Sequence, residues 1–201
     1  MKKKIKVIML TAALAMSVIG GAYSYYSGTA KQVSNNFNIV AGQTNQKDTA
    51  GTVTEPNWDA TKAKNLQPGQ TVTKDPSLKS NVAYESWAFA TVEIPTITAQ
   101  KDGDTADKVY DAVIPNYDTN NWTLIKKTVS QKAGTNSVYI YGYNKKLPAG
   151  ATTTSLFTNF TVQNFSKVAT PLSDSIDISG SFIQTTGNAT QDAAAQALGL
   201  K

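Results

Sequence analysis

The sequence contains no cysteine, no histidine and no arginine. Without cysteine there is no disulfide to staple the fold, and no thiolate to act as nucleophile or metal ligand. Without histidine there is no imidazole general base, no His-based zinc site and no Ser–His pair. Hydrolytic mechanisms built on His or Cys are therefore excluded, while carboxylate chemistry remains open. Without arginine there are no bidentate contacts to phosphates or base edges. The lysines beyond the first few residues form no basic patch interleaved with aromatics, so nucleic acid is not expected as a partner. The one sustained apolar run, Val7 to Ile19, ends at Gly20-Gly21 and is too short for a membrane span.

What is present begins with a cationic head, Lys2, Lys3, Lys4 and Lys6, ahead of that run. Small residues follow at Ala22 and Ser24, and the aromatic pair Tyr25-Tyr26 lies just beyond. This is the pattern of a secretory signal cleaved near Ser24-Tyr25. Four of the 19 basic residues are lost with it, leaving fifteen lysines against 14 acids, so the formal +5 falls to +1. The basic character thus belongs to the export signal. The lysine-rich head and the absence of cysteine suit a Gram-positive exported protein, secreted and then released or retained by assembly with other molecules. Membrane contact is expected only through the signal before cleavage. The chain divides into residues 1–24 as signal peptide, 25–42 as an N-terminal strand segment and 43–201 as a β-sandwich domain.

The rest is rich in Thr, Asn, Ser, Val, Ile and Tyr in short runs, a vocabulary of strands. Asn36 to Ala41 alternates weakly, and Gln43 to Thr52 reads as a polar loop. Leu66-Gln67-Pro68-Gly69-Gln70 is a turn signal leading into a short strand at Thr71 to Lys74. Val82 to Ile94 reads as the strongest strand, apolar on both faces because of Ala83, Trp87 and Phe89, and is expected to stop at Pro95. Trp122 to Val129, Ser137 to Tyr143, Leu156 to Gln163 and Ser175 to Gln184 supply further strands. Val109, Ala112 and Val113 fall at helical spacing and predict a helix over Asp104 to Ile114. The Ala-rich tail predicts a final helix capped by Asn188 or Thr190. The fold class expected is all-β: a single antiparallel β-sandwich of roughly seven to nine strands with one or two short helices.

Few residues suggest chemistry. Asp102, Asp104 and Asp107 are the one acidic cluster, but a calcium loop needs more oxygen ligands and a closing Glu. Acids at the start of the expected helix explain them more simply. Glu85 and Glu93 are about 26 Å apart along an extended strand, too far for a glycosidase pair. Tyr139, Tyr141 and Tyr143 share one face of their strand. They read either as a face for a partner or carbohydrate, or as cross-strand packing, and packing is the simpler reading. No catalytic residue, metal ligand or cofactor is assigned. The segment Tyr25 to Ala41, with Tyr25, Tyr26, Val33, Phe37 and Ile39 spaced along it, reads either as a first strand in its own sheet or as a donor strand entering a neighbouring subunit. From the pattern alone the ordinary strand is simpler.

Several blocks nevertheless resemble one family. AYSYYSGTAKQVSNNFNIVAG is similar to the junction processed by SipW-type signal peptidases. LQPGQTVTKDPSLKSN carries Leu66, Pro68, Gly69, Val72, Lys74, Pro76 and Asn81 in the family's order. YIYGYNKKLPAGATTTSLF and DISGSFIQTTGNATQDAAAQAL extend the likeness. The chain resembles the TasA/CalY/camelysin-like secreted β-sandwich proteins, which implies a jelly-roll-like antiparallel sandwich located in the extracellular matrix or at the cell surface. The resemblance implies a structural protein of the biofilm matrix, self-associating into fibres by N-terminal donor-strand exchange, with other matrix proteins or polysaccharide as further partners. It moves the donor reading of Tyr25 to Ala41 ahead of the ordinary one. A monomeric surface adhesin is the alternative. Camelysin has also been classed as a zinc metalloendopeptidase, but without histidine or HExxH that activity is not expected, and the chain is read as a non-enzyme.

Overall fold

The computed structural model describes the backbone of Ser27–Asn36 and residues 50–169, 172 and 174–201. The strands are β1 (Ser27–Asn36), β2 (Gly51–Thr54), β3 (Thr71–Thr73), β4 (Ser77–Ser80), β5 (Ser86–Gln100), β6 (Lys108–Asp111), β7 (Val113–Tyr117), β8 (Trp122–Thr128), β9 (Asn136–Tyr143), β10 (Phe157–Val162), β11 (Lys167–Val168) and β12 (Ser175–Gln184). A helix, α1 (Gln191–Ala197), follows. The larger sheet runs β4-β2-β1-β12-β5-β9-β8, with β6 and β11 joining the far part of β5. The smaller runs β3-β10-β7. The protein is all-β, an antiparallel sandwich curled into a half-barrel.

The long strand β5 organises both halves. Ala88, Ala90, Val92 and Ile94 alternate onto the inner face and join a core with Ile176, Ile178 and Phe182 of β12 and Val72, Phe157 and Phe160 of the smaller sheet. Trp87 and Phe89 point the other way, where they pack with Ile183 under Ala194 and Ala195 of α1. The expectation of a strand buried on both faces is met because α1 covers the second face. Thr190 caps this helix, its Oγ1 accepting from Ala193 N at 3.2 Å. Trp87 Nε1 donates to Asn188 O at 2.8 Å, tying the approach to the helix onto the sheet.

Three local expectations fail for physical reasons. Pro95 does not end β5. It forms the last pair with β9, opposite Asn136, and the next residue, Thr96, begins the pairing with β6. A residue without an N–H fits where a strand leaves one partner for another. The helix expected over Asp104 to Ile114 is instead β6 and β7, with Thr96 to Ala99 opposite Lys108 to Asp111. The i, i+3, i+4 spacing of three residues was outweighed by sheet partners for a segment with two valines. The loop read over Gln43 to Thr52 contains the start of β2, a strand whose Gly and Thr carry little apolar signal. Trp87→Ala should cost about 3–5 kcal/mol in chemical denaturation. Leu124→Ala, at a residue 45% exposed, should change stability by less than about 0.5 kcal/mol.

Candidate functional site

β1 does not lie at a sheet edge. It pairs antiparallel with β12 from Ser27↔Ile183 to Asn36↔Ser175 and parallel with β2 at Ala30↔Gly51 and Lys31↔Thr52. A bulge falls between Ala30 and Val33. Each wall of this slot has its own anchor. β12 is paired with β5 over Asp177 to Gln184. β2 is paired with β4, and β4 is tied on its other side by Ser80 N to Ala151 O at 2.8 Å and Thr153 N to Leu78 O at 2.9 Å.

The β1–β2 pair is the one parallel pair among the paired strands described. Strands adjacent in sequence usually pair antiparallel, because a parallel return needs a connection of about a dozen residues or more. Fourteen residues separate Asn36 from Gly51, a length that meets this requirement. On the core side Phe182, fully buried, reaches across to Gly51. A Cβ at Gly51 would lie 2.4 Å from Phe182 Cε2 and 2.6 Å from the Lys79 carbonyl oxygen, so only glycine fits. The residue registered opposite Phe182 on β1 is Gly28.

Below the slot's β2 wall is a buried ion pair that sequence reading did not single out. Glu55 follows β2, and Lys74 follows β3 of the other sheet. Lys74 Nζ is 2.7 Å from Glu55 Oε1, with the two side chains 0% and 5% exposed. Burial pushes the Glu55 carboxyl up from its ordinary value and the Lys74 amine down, each partly offset by attraction to the other. The Trp58 ring faces Nζ at 4.8 Å. Asp75 accepts from Asn57 N at 3.0 Å and Nδ2 at 2.7 Å, closing the loop after β2 onto the end of β3. The available signal was strand parity. Lys74 shares a face with Val72, which is buried.

The residues singled out from sequence are distributed as follows. Ala22, Ser24, Tyr25, Tyr26, Phe37 and Ile39 lie outside the described residues. Val33 lies on β1 opposite Ile178. Tyr139, Tyr141 and Tyr143 are buried, 6–8% exposed, and belong to the core. Tyr141 stacks on Tyr117 at 4.3 Å, and Tyr143 packs on Trp122 at 5.0 Å. Of the two readings of these rings, the simpler one, inward packing, is what the structure has, because the smaller sheet covers that side of β9. Tyr139 Oη donates to Asp111 Oδ2.

The acidic cluster occupies the β5–β6 turn and not a helix start. Asp104 accepts from Lys108 Nζ, from Tyr110 Oη at 2.6 Å and from Lys101 N at 2.8 Å, which hold its carboxyl below the ordinary range. Asp107 accepts from Gln100 and Lys167. These oxygens are already engaged by donors. Among the described residues no group of three or more Asp, Glu, His or Cys side chains is placed to hold a metal ion.

These features define an antiparallel β-sandwich whose first described strand lies inside its main sheet. The chain belongs to the camelysin metallo-endopeptidase family, whose model matches residues 1–140. That match spans β1 to the body of β9 and stops short of β12, one wall of the slot. Neither the curated proteins nor the solved structures give a match. The family's name implies a metal, but with no His or Cys in the chain and no such group of acids among the described residues, the residues present do not fit a peptidase metal centre.

The buried tyrosines give a pH prediction. Burial raises the phenols of Tyr117, Tyr139 and Tyr141, the last from 10.0 to about 12. The folded state then keeps protons that the unfolded state releases. Their stabilising contribution is complete below pH 10.0 and is lost as pH rises toward about 12. Alkaline unfolding followed by phenolate absorbance should begin in that window, and Tyr141→Phe should shift it upward. An unchanged midpoint in Tyr141→Phe would contradict the assignment.

Proposed function

We propose that this chain is a secreted structural subunit of a bacterial extracellular matrix that polymerises by passing β1 into the slot of the next copy. The observation that carries the reading is the position of β1: a strand near the N-terminus, internal to the sheet, between two walls that are each anchored without it. The resemblance of the signal junction and of the LQPGQTVTKDPSLKSN block to TasA-like matrix proteins supports the same reading.

The energetics are permissive. β1 is registered with β12 at eight positions and with β2 at two. Each backbone hydrogen bond is worth about 0.5–1.5 kcal/mol net, and the same ladder forms whether the strand comes from its own chain or a neighbour. Exchange therefore changes little in contact energy. Concentration, and the effective concentration of the tethered strand (on the order of mM for a short flexible tether), decide between closed monomer and polymer. The fourteen residues after β1 span at most about 50 Å, enough to let the strand leave its own body while remaining attached. Because donor and acceptor surfaces differ, the contact is heterologous and propagates as an open filament. Removal of the leader would leave β1 close to a new N-terminus that can thread a neighbouring slot.

Deleting residues 25–36 from the mature protein should abolish filaments in electron microscopy of concentrated or acidified samples. Adding a synthetic peptide of residues 27–36 should bind the truncated chain and raise its melting temperature. Filaments of unchanged yield and form from the truncated chain would overturn the reading.

A further inference from the structure

The Glu55–Lys74 pair has a geometry that an ordinary surface salt bridge lacks. Both side chains are almost wholly buried, and Nζ and Oε1 are in contact at 2.7 Å. Apart from each other, neither Lys74 Nζ nor either Glu55 oxygen has a hydrogen-bond partner among the described residues. The carboxylates of Asp177 and Asp75 also attract the amine, but Asp177 accepts from Ser175 Oγ at 2.6 Å and Asp75 accepts from Asn57, and Glu55 is the carboxyl in contact with Nζ. The Trp58 ring closes the other side of Nζ. A buried charge pair without further hydrogen bonds is poorly compensated for lost hydration.

Burial acts on the two groups in opposite directions, toward a neutral amine and a neutral carboxylic acid. A neutral amine is a nucleophile, and a protonated carboxyl can lose hydroxide as water. Holding them in contact supplies the proximity that makes an otherwise slow condensation effectively unimolecular. Exclusion of water disfavours the reverse hydrolysis.

We propose that Lys74 and Glu55 are a self-modification site, condensing within the folded chain to an intramolecular amide. The Nζ lone pair attacks Cδ of Glu55 and the new C–N bond forms. The C–OH bond then breaks, and the hydroxyl departs with an amine proton as water. No oxidant, reductant or second substrate is required. The product removes both buried charges. It also joins the end of β2 in the larger sheet to the end of β3 in the smaller, giving a chain without cysteine a covalent link between its layers.

Peptide mapping by mass spectrometry of the unmodified wild-type protein tests this directly. Trypsin does not cut after an amidated lysine. The expected product is therefore a branched species in which residues 48–62 are joined to residues 65–79, lighter than the two peptides together by one water. Intact mass should be lower by the same amount than the value for the observed N-terminus. In Lys74→Arg the deficit should vanish. Full intact mass in the wild type, with cleavage after Lys74 and separate unlinked peptides, would overturn the proposal. The measurement is made on the wild-type chain, so it holds even if a variant fails to fold, and it is independent of whether the protein forms filaments.

Discussion

The continuity of the large sheet depends on the backbone ladder between β1 and its two neighbours. Take β1 away and β2 and β12 lose the strand that hydrogen-bonds them together and keep the contact of Phe182 with Gly51, while each stays attached through β4 or β5. An internal strand with unmatched walls leaves two rows of peptide groups facing a gap, and such groups must be paired by something. A strand from the same chain and one from another copy satisfy them equally. The proposed assembly rests on that equivalence: the sandwich needs a strand here, and nothing in the ladder specifies whose.

Side chains narrow which strand fits. Phe182 closes over the core side of the slot and leaves room only for glycine at position 51, and the register sets Gly28 opposite it. The buried pair of Glu55 and Lys74 fastens the β2 wall to the smaller sheet, so the wall's position does not depend on β1. On the opposite face of the large sheet, α1 seals Trp87, Phe89 and Ile183. That apolar surface, left bare, would compete with strand pairing by unspecific association. The arrangement sets one strand between walls that are each anchored without it, which is what the proposed exchange requires.

Much of this architecture was legible in the residues. Ser175 to Gln184 carries alternating isoleucines and a phenylalanine and is β12 with the same bounds. The Ala-rich tail capped by Thr190 is α1. What was not legible depended on partners distant in sequence. The segment 104–114 looked helical because three small or branched residues fell at helical spacing, yet Thr96 to Ala99 offered them a sheet edge. Pro95 looked like a stop, although a strand changing partners tolerates a missing N–H. β2 has too little apolar content to announce itself. Of the candidate site, the N-terminal segment was singled out, but its placement between β12 and β2 required the tertiary structure. Lys74 was noticed only as part of a resembling motif: its parity with Val72 places it on the buried face, but nothing local names Glu55 as its partner.

The central claim is that β1 occupies the slot of another copy in the assembled state. Because the chain has no cysteine, a single engineered pair reports this without ambiguity. Thr29→Cys and Ser181→Cys place thiols at registered positions of β1 and β12. Oxidation of dilute monomer should give a disulfide within one chain. Oxidation of assembled filaments should give a ladder of covalent oligomers on denaturing, non-reducing gels, collapsing to monomer on reduction. Filaments that yield only the within-chain disulfide would contradict strand exchange.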